Sequence, residues 1–290
     1  MRESLKVEER LVPICTEDDL NTELAKAGSK LVVLEIQSQS VCQTGWEEEP
    51  ELQWKADQRA ALEPCRQLKH SFLRTARDCS DVVFLELDAD DEDGQELCDK
   101  LGVEVLPTLQ FYKEGKKIWE HRGHQAMEPA MGEGVLYFGD AAGGGEKAST
   151  YVTELHSRAD FDHFMNQQDD KVLKVVNISL SSASPCVRIF PAVLALARNF
   201  QGYAAFARLM GDENEELQQV MADYNIVQVP TFLFFRNGKE TGRHVGSSRG
   251  DLIGQILQQQ SALGIPPPPP QGGVPRKPAS AAPRPRRSHW

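Results

Sequence analysis

Residues 102–123 read GVEVLPTLQFYKEGKKIWEHRG, and residues 224–246 read YNIVQVPTFLFFRNGKETGRHVG. Laid over each other, Pro107 meets Pro230, Thr108 meets Thr231, Gly115 meets Gly238 and Gly123 meets Gly246, all at an offset of 123. Upstream, LELDADDED (85–93) meets ARLMGDENE (207–215) with Leu87 on Leu209 and Asp90 on Asp212, an offset of 122. Further upstream EPC meets SPC, with Cys65 on Cys186 at 121. Three blocks that keep order and spacing, with two single-residue gaps, identify an internal repeat.

Each copy has the same reading. A β-branched run, Lys30–Ile36 or Val172–Leu180, suits a strand covered on both faces. A helix follows the Pro-Cys pair, since proline is welcome in a first helical turn where its missing N–H is not needed. A second strand (Val82–Leu87; Ala204–Leu209), an acidic turn and a short helix (Glu92–Leu101; Glu213–Tyr224) come next. Then x-Pro-Thr opens a strand that returns through E-G-K or N-G-K, a hairpin signal. A closing helix (Glu128–Tyr137; Arg249–Gln260) finishes each copy. Strand–helix–strand–helix–strand–strand–helix predicts an α/β fold with a mixed central sheet flanked by helices, twice in tandem.

The expected boundaries follow. Residues 1–9 form an N-terminal extension, 10–139 the first domain, 140–150 a glycine-rich linker, 151–262 the second domain and 263–290 a tail. The tail holds 9 of the chain's 17 prolines and carries +5, so it is expected to be disordered or polyproline II. Glu35 aligns with Asn177 at an offset of 142, so the first domain carries an insert of about 21 residues near 40–60, acidic and containing Trp46 and Trp54.

Composition bounds the function. With 40% hydrophobic and 26% charged residues, a 290-residue chain is globular in the main. The net charge is −11, and outside the tail it is −16, which argues against a nucleic-acid partner. No apolar run approaches the ~18–20 residues of a membrane span. The N-terminal MRESLKVEERLVP has neither an apolar h-region nor an acid-free Ser/Arg stretch, so no signal or transit peptide is visible in it. Six scattered cysteines form no disulfide framework, and no two are separated by only two residues. His121 and His124 are the only close histidine pair, and no metal or cofactor site is expected.

The repeat resembles thioredoxin, twice. In that family a buried strand leads to W-C-G-P-C at a helix start, and a cis-proline follows about forty residues later. Here Cys65 to Pro107 is 42 residues and Cys186 to Pro230 is 44, and Pro191 falls five after Cys186, where the family kinks its helix. V-L-Y-F-G-D, M-G-D-E-N, V-P-T-F-L-F and G-R-x-V-G-S are similar to the drought-induced double thioredoxins of plant and algal chloroplasts. That resemblance implies a role in the chloroplast stroma in redox homeostasis and oxidative stress, with a protein thiol partner such as a 2-Cys peroxiredoxin. A chain complete at this N-terminus would instead be cytoplasmic.

The family's chemistry needs two sulfurs: a thiolate that attacks and a thiol that resolves the mixed disulfide. In the second domain the motif reads Ser182-Ala183-Ser184-Pro185-Cys186, with Ala183 at the nucleophile position. In the first it reads Ala61-Leu62-Glu63-Pro64-Cys65, with Leu62 there. Both copies keep only the resolving position. The family's buried acid falls on Asn177 in one copy and aligns with Glu35 in the other. Cys186 and Cys65 read as buried structural thiols or as residual catalytic ones, and Cys42 could reach Cys65 across the insert. The resemblance implies that Leu106-Pro107 and Val229-Pro230, both expected cis, with Ser184-Pro185, retain the peptide-docking surface, which needs no thiol. Two readings stand: a docking module with little or no dithiol turnover, and a thiol–disulfide oxidoreductase using Cys186, Cys65 or a Cys42–Cys65 pair. A third takes the thioredoxin units as a holder for the basic proline-rich arm.

Overall fold

The computed structural model describes residues 10–38, 69–123, 125–141, 146–167, 172–266 and 268. The insert, Cys42, Leu62, Pro64, Cys65, His124, the linker glycines 143–145 and most of the tail lie outside them.

Two five-stranded sheets form. The first domain runs β1 (Leu11–Ile14), α1 (Glu17–Ala27), β2 (Val32–Gln37), a helical stretch α2 described over 69–78, β3 (Val83–Asp88), α3 (Glu92–Leu101), β4 (Thr108–Lys113), β5 (Lys116–Arg122) and α4 (Met127–Phe138). The second runs β6 (Val152–Leu155), α5 (Arg158–Asn166), β7 (Leu173–Ser179), α6 (Ser184–Asn199), β8 (Ala204–Met210), α7 (Glu215–Asp223), β9 (Thr231–Arg236), β10 (Lys239–Val245) and α8 (Arg249–Ala262). Strand orders β1-β3-β2-β4-β5 and β6-β8-β7-β9-β10 are the same, with three parallel strands and an antiparallel hairpin in each.

The repeat thus predicts the topology, with one addition per copy. Each domain opens with a short edge strand and a helix (β1-α1, β6-α5) ahead of the first strand read from the sequence. LVPI and VTEL are only four residues long and half-exposed, so no continuous apolar run marks them. Their helices are marked by caps instead: Thr16 forms a capping box with Asp19, and Ser157 accepts from the Asp160 N–H.

The hairpins turn where E-G-K and N-G-K place them. Glu114-Gly115 and Asn237-Gly238 all have positive φ, the backbone of a type I′ turn. The central strands are buried on both faces; β7 has no half-exposed position. Lys174 within it runs its ammonium to the carbonyls of Phe164, Met165 and Gln167, closing the end of α5.

The packed body of the second domain extends past the expected boundary at 262. Leu263 and Ile265 pack on its core, and the Ile265 N–H donates to the Gln260 carbonyl. The linker's ends are also pinned: Asp140 accepts from the Ser149 N–H and hydroxyl, and Ala148–Thr150 make a 3-10 turn whose Ala148 is buried.

The two domains share an apolar cluster. Helix α4 of the first lies against α6 of the second, joining Met131, Val135 and Tyr137 to Val187, Phe190 and Leu194. Gly134 lets α4 sit close to its own sheet, since a Cβ there would fall 2.5 Å from the Phe111 ring.

Candidate functional site

The second domain's site lies at the end of β7. The register pair Ile178↔Thr231 sets Pro230 beside Ser179 at the same sheet end, and the chain after β7 enters α6 within a few residues. Ala183 is the N-cap of α6, with extended backbone and no side chain able to cap, and proline stands in the first turn. Asp212, from the loop after β8, accepts from the Ser181 N–H at 2.9 and 3.0 Å and from its hydroxyl, holding the turn that leads into the helix. Pro191 lies inside α6, where the resemblance puts it.

Cys186 points inward and has no solvent exposure. Burial pushes its thiol above the ordinary cysteine range, although contacts with the Leu180 backbone and the Ser179 hydroxyl oppose this. A thiol so placed is protonated at neutral pH and is a poor nucleophile. Asn177, two residues before Ser179 on β7, is also fully buried; its Oδ1 accepts from the Ser179 hydroxyl at 3.1 Å and its Nδ2 has no partner. An amide there offers no carboxylate to take the thiol's proton.

The proline loops of the two domains have one geometry. Leu106–Pro107 and Val229–Pro230 are cis. Thr108 Oγ1 donates to the Val105 carbonyl and Thr231 Oγ1 to the Gln228 carbonyl, both at 2.6 Å. The Gly123 and Gly246 N–H groups donate to the carbonyls of Pro107 and Pro230. The prolines are buried, Leu106 and Val229 half-buried. Val227, two residues before Val229, is 98% exposed, and Val105 is 44% exposed, so each loop presents an aliphatic side chain to solvent. Ser184 is half-buried and Pro185 exposed beside them in sequence.

The thioredoxin family's sequence model matches residues 63–130 and 152–259. Over 256 residues the chain is 35% identical to the Arabidopsis thaliana protein named "Thioredoxin-like protein CDSP32, chloroplastic", spanning 87% of this chain and 74% of that one. The chain belongs to the thioredoxin family. It is also 31% identical over 113 residues to "Thioredoxin H-type" of Oryza sativa subsp. indica, covering 38% of this chain and 88% of that relative. Among solved structures, "Redox protein from Chlamydomonas reinhardtii" aligns at 25% identity with a TM-score of 0.38, over 46% of this chain and 40% of that one.

As a thioredoxin-like protein, the chain carries different polar pairs at matching positions of its two sheets. In the first domain Glu35 lies opposite Glu86 in register; in the second Asn177 lies opposite Arg208. Glu35 is fully buried and neither carboxylate oxygen has a hydrogen-bond partner. Burial, aided by the Glu86 charge and opposed by Lys69, pushes its acid up to about 8. Glu86 is held instead by Lys69 and Gln37. Of the other thiols, Cys15 is exposed, Cys79 half-buried and Cys98 buried, and burial raises both Cys79 and Cys98. Among the described residues no group of three or more His, Cys, Asp or Glu side chains could hold a metal, and no helix is long and apolar enough to cross a membrane.

Sequence reasoning missed Tyr137 and Arg208. Arg208 is nearly buried; it makes a paired contact with Glu154 (3.0 and 2.8 Å) and donates to the Tyr137 carbonyl. Its signal was an arginine at an inward position of a strand otherwise apolar on that face. Tyr137 carried none, reading as one more apolar position of a closing helix.

Proposed function

We propose that this thioredoxin-like protein docks a protein thiol partner, such as a 2-Cys peroxiredoxin, through its two proline loops and turns over little or no dithiol. The observation that carries this is the cis Val229–Pro230 loop with Val227 exposed beside it, together with an alanine at the position the resemblance gives to the attacking sulfur. Extended segments pair with such an edge through backbone hydrogen bonds and aliphatic contacts, which require no sulfur. The chloroplastic relative supports a setting in plastid redox homeostasis and the response to oxidative stress.

Binding and turnover are tested separately. Pull-down of a reduced 2-Cys peroxiredoxin by the full chain is expected to succeed and to fail for Val227→Asp combined with Val229→Asp; equal capture by both overturns the docking surface. Dithiothreitol-driven insulin reduction is expected at background for the wild type.

One observation favours an oxidoreductase reading for the first domain. Glu35 is a buried acid of raised pKa, the kind of group that accepts a proton near neutrality. Insulin reduction above background that disappears in Cys65→Ser, or in Cys42→Ser, would establish that reading. Loss in Cys186→Ser would place the activity in the second domain.

A further inference from the structure

The second domain does not build the surroundings of Cys186 alone. Tyr137 comes from the last turn of α4 in the first domain, yet its side chain is buried against the second. Its hydroxyl donates to the Leu180 carbonyl at 3.0 Å, contacts the Met210 sulfur at 3.4 Å and meets the Ser179 hydroxyl. The Leu180 backbone and the Ser179 hydroxyl also bear on the Cys186 thiol, both favouring its ionised form. A phenol from one domain and a thiol from the other therefore share the same two neighbours.

The ring is held on several sides. It meets Phe190, one helical turn beyond Cys186, edge-on at 5.4 Å, and it meets Phe138 at 4.9 Å. The Arg208 guanidinium lies 4.8 Å from its centroid and 4.1 Å from that of Phe190, and also binds the Tyr137 carbonyl at 2.8 Å. Cations over aromatic faces and edge-to-face ring pairs both favour a fixed ring position.

We infer that Tyr137 is a component of the second domain's redox site, supplied by the first domain, and that it closes Cys186 to reagents. Without the Tyr137 side chain, the Leu180 carbonyl and Ser179 hydroxyl lose their cover and the path to the sulfur opens. Access to Cys186 then depends on α4 staying seated on α6, so the first domain controls the reactivity of the second domain's remaining thiol. This deepens the docking reading and rests on it only for what the site is for. The experiment below needs neither partner nor turnover, so its failure is distinguishable from failure of that reading.

The test is alkylation of the native full chain by iodoacetamide, in which each thiolate displaces iodide, with site occupancy followed by peptide mass spectrometry. Cys15, which is exposed, and Cys98, which is buried in the first domain, serve as fast and slow references. Cys186 of the wild type is expected to react roughly 100-fold more slowly than Cys15, as protected groups do. Tyr137→Ala is expected to speed Cys186 about 10-fold or more with Cys98 unchanged, and Tyr137→Phe, which keeps the ring, to speed it less. An unchanged Cys186 rate in Tyr137→Ala overturns the inference. If Tyr137→Ala speeds Cys98 as well, the milder Tyr137→Leu decides: a rise at Cys186 alone supports the closure, whereas no rise, or a rise at both cysteines, overturns it.

Discussion

Arg208, in a strand of the second domain, donates to the carbonyl of Tyr137, in the last turn of the first domain's closing helix, over 2.8 Å. Carbonyls in a final helical turn have no partner within their own helix, and a cation is a favourable one for them. The same guanidinium is held from its own sheet by both oxygens of Glu154. One side chain therefore ends a helix of one domain, neutralises a carboxylate of the other and stacks on a ring from each. The link between the repeats is thus polar as well as apolar, and it sits directly beneath the second domain's site.

Removing the carboxylate should be costly. Glu154→Gln leaves the Arg208 charge nearly buried with only carbonyl and ring partners, and breaking such a pair from one side costs about 3–5 kcal/mol where burial is complete. Glu154 retains 24% side-chain exposure, so roughly 2–3 kcal/mol is the expected loss. Urea unfolding of the full chain checks it. A midpoint unchanged from wild type would mean that solvent already screens the pair.

The fold was legible because its punctuation is repeated. Pro107-Thr108 and Pro230-Thr231, the hairpin glycines and the Pro-Cys pairs are local signals, each with one backbone meaning, and the constant offset removes chance. The opening strands were not legible, since LVPI and VTEL gain their stability from pairing with β3 and β8 far along the chain. That Ala183 and Leu62 stand where the family has its nucleophile is an expectation from motif spacing alone. Tyr137 was not legible, because a tyrosine in an apolar stretch looks the same whether it packs on its own sheet or on the next domain. Glu35 was legible as a position, by alignment with Asn177, but its lack of partners depends on Glu86 turning to Lys69 and Gln37.

Glu35 should make the first domain less stable as pH rises. Its acid sits at about 8 in the folded chain against an ordinary 4.5. Below the lower value it is protonated in both states and no stability is lost. Between the two values the unfolded chain ionises while the folded chain holds its proton, so unfolding releases a proton and stability falls by up to ~1.4 kcal/mol per pH unit. Above the upper value the loss is complete. Glu35→Gln removes this dependence, so its stability relative to wild type should be greater at about pH 8 than at about pH 5, by on the order of a few kcal/mol. Urea midpoints at the two pH values measure the difference. A Gln variant that follows the wild type in parallel would show that Glu35 is ionised in the folded chain.

The final prediction concerns the missing sulfur. Ala183 caps α6, and the Cys186 N–H donates to its carbonyl at 2.9 Å, so the two residues span one turn at the helix start. A cysteine at 183 would sit where unpaired N–H groups and the helix dipole favour a thiolate. The half-buried position keeps it within reach of a partner disulfide. Cys186, protonated and buried, is suited to the second step, in which it releases the partner by attacking the mixed disulfide. Ala183→Cys should therefore reduce insulin with dithiothreitol above the wild-type background. Adding Cys186→Ser to that variant should abolish the gain and, once dithiothreitol is removed, trap the mixed disulfide. Asn177 has no carboxylate to take the Cys186 proton, so Ala183→Cys combined with Asn177→Asp should be faster by at least ~10-fold. If Ala183→Cys stays at background while Ala183→Cys with Tyr137→Phe is active, the obstacle is the Tyr137 hydroxyl. If neither variant gains activity, the second domain has lost more of its reductase site than the nucleophile.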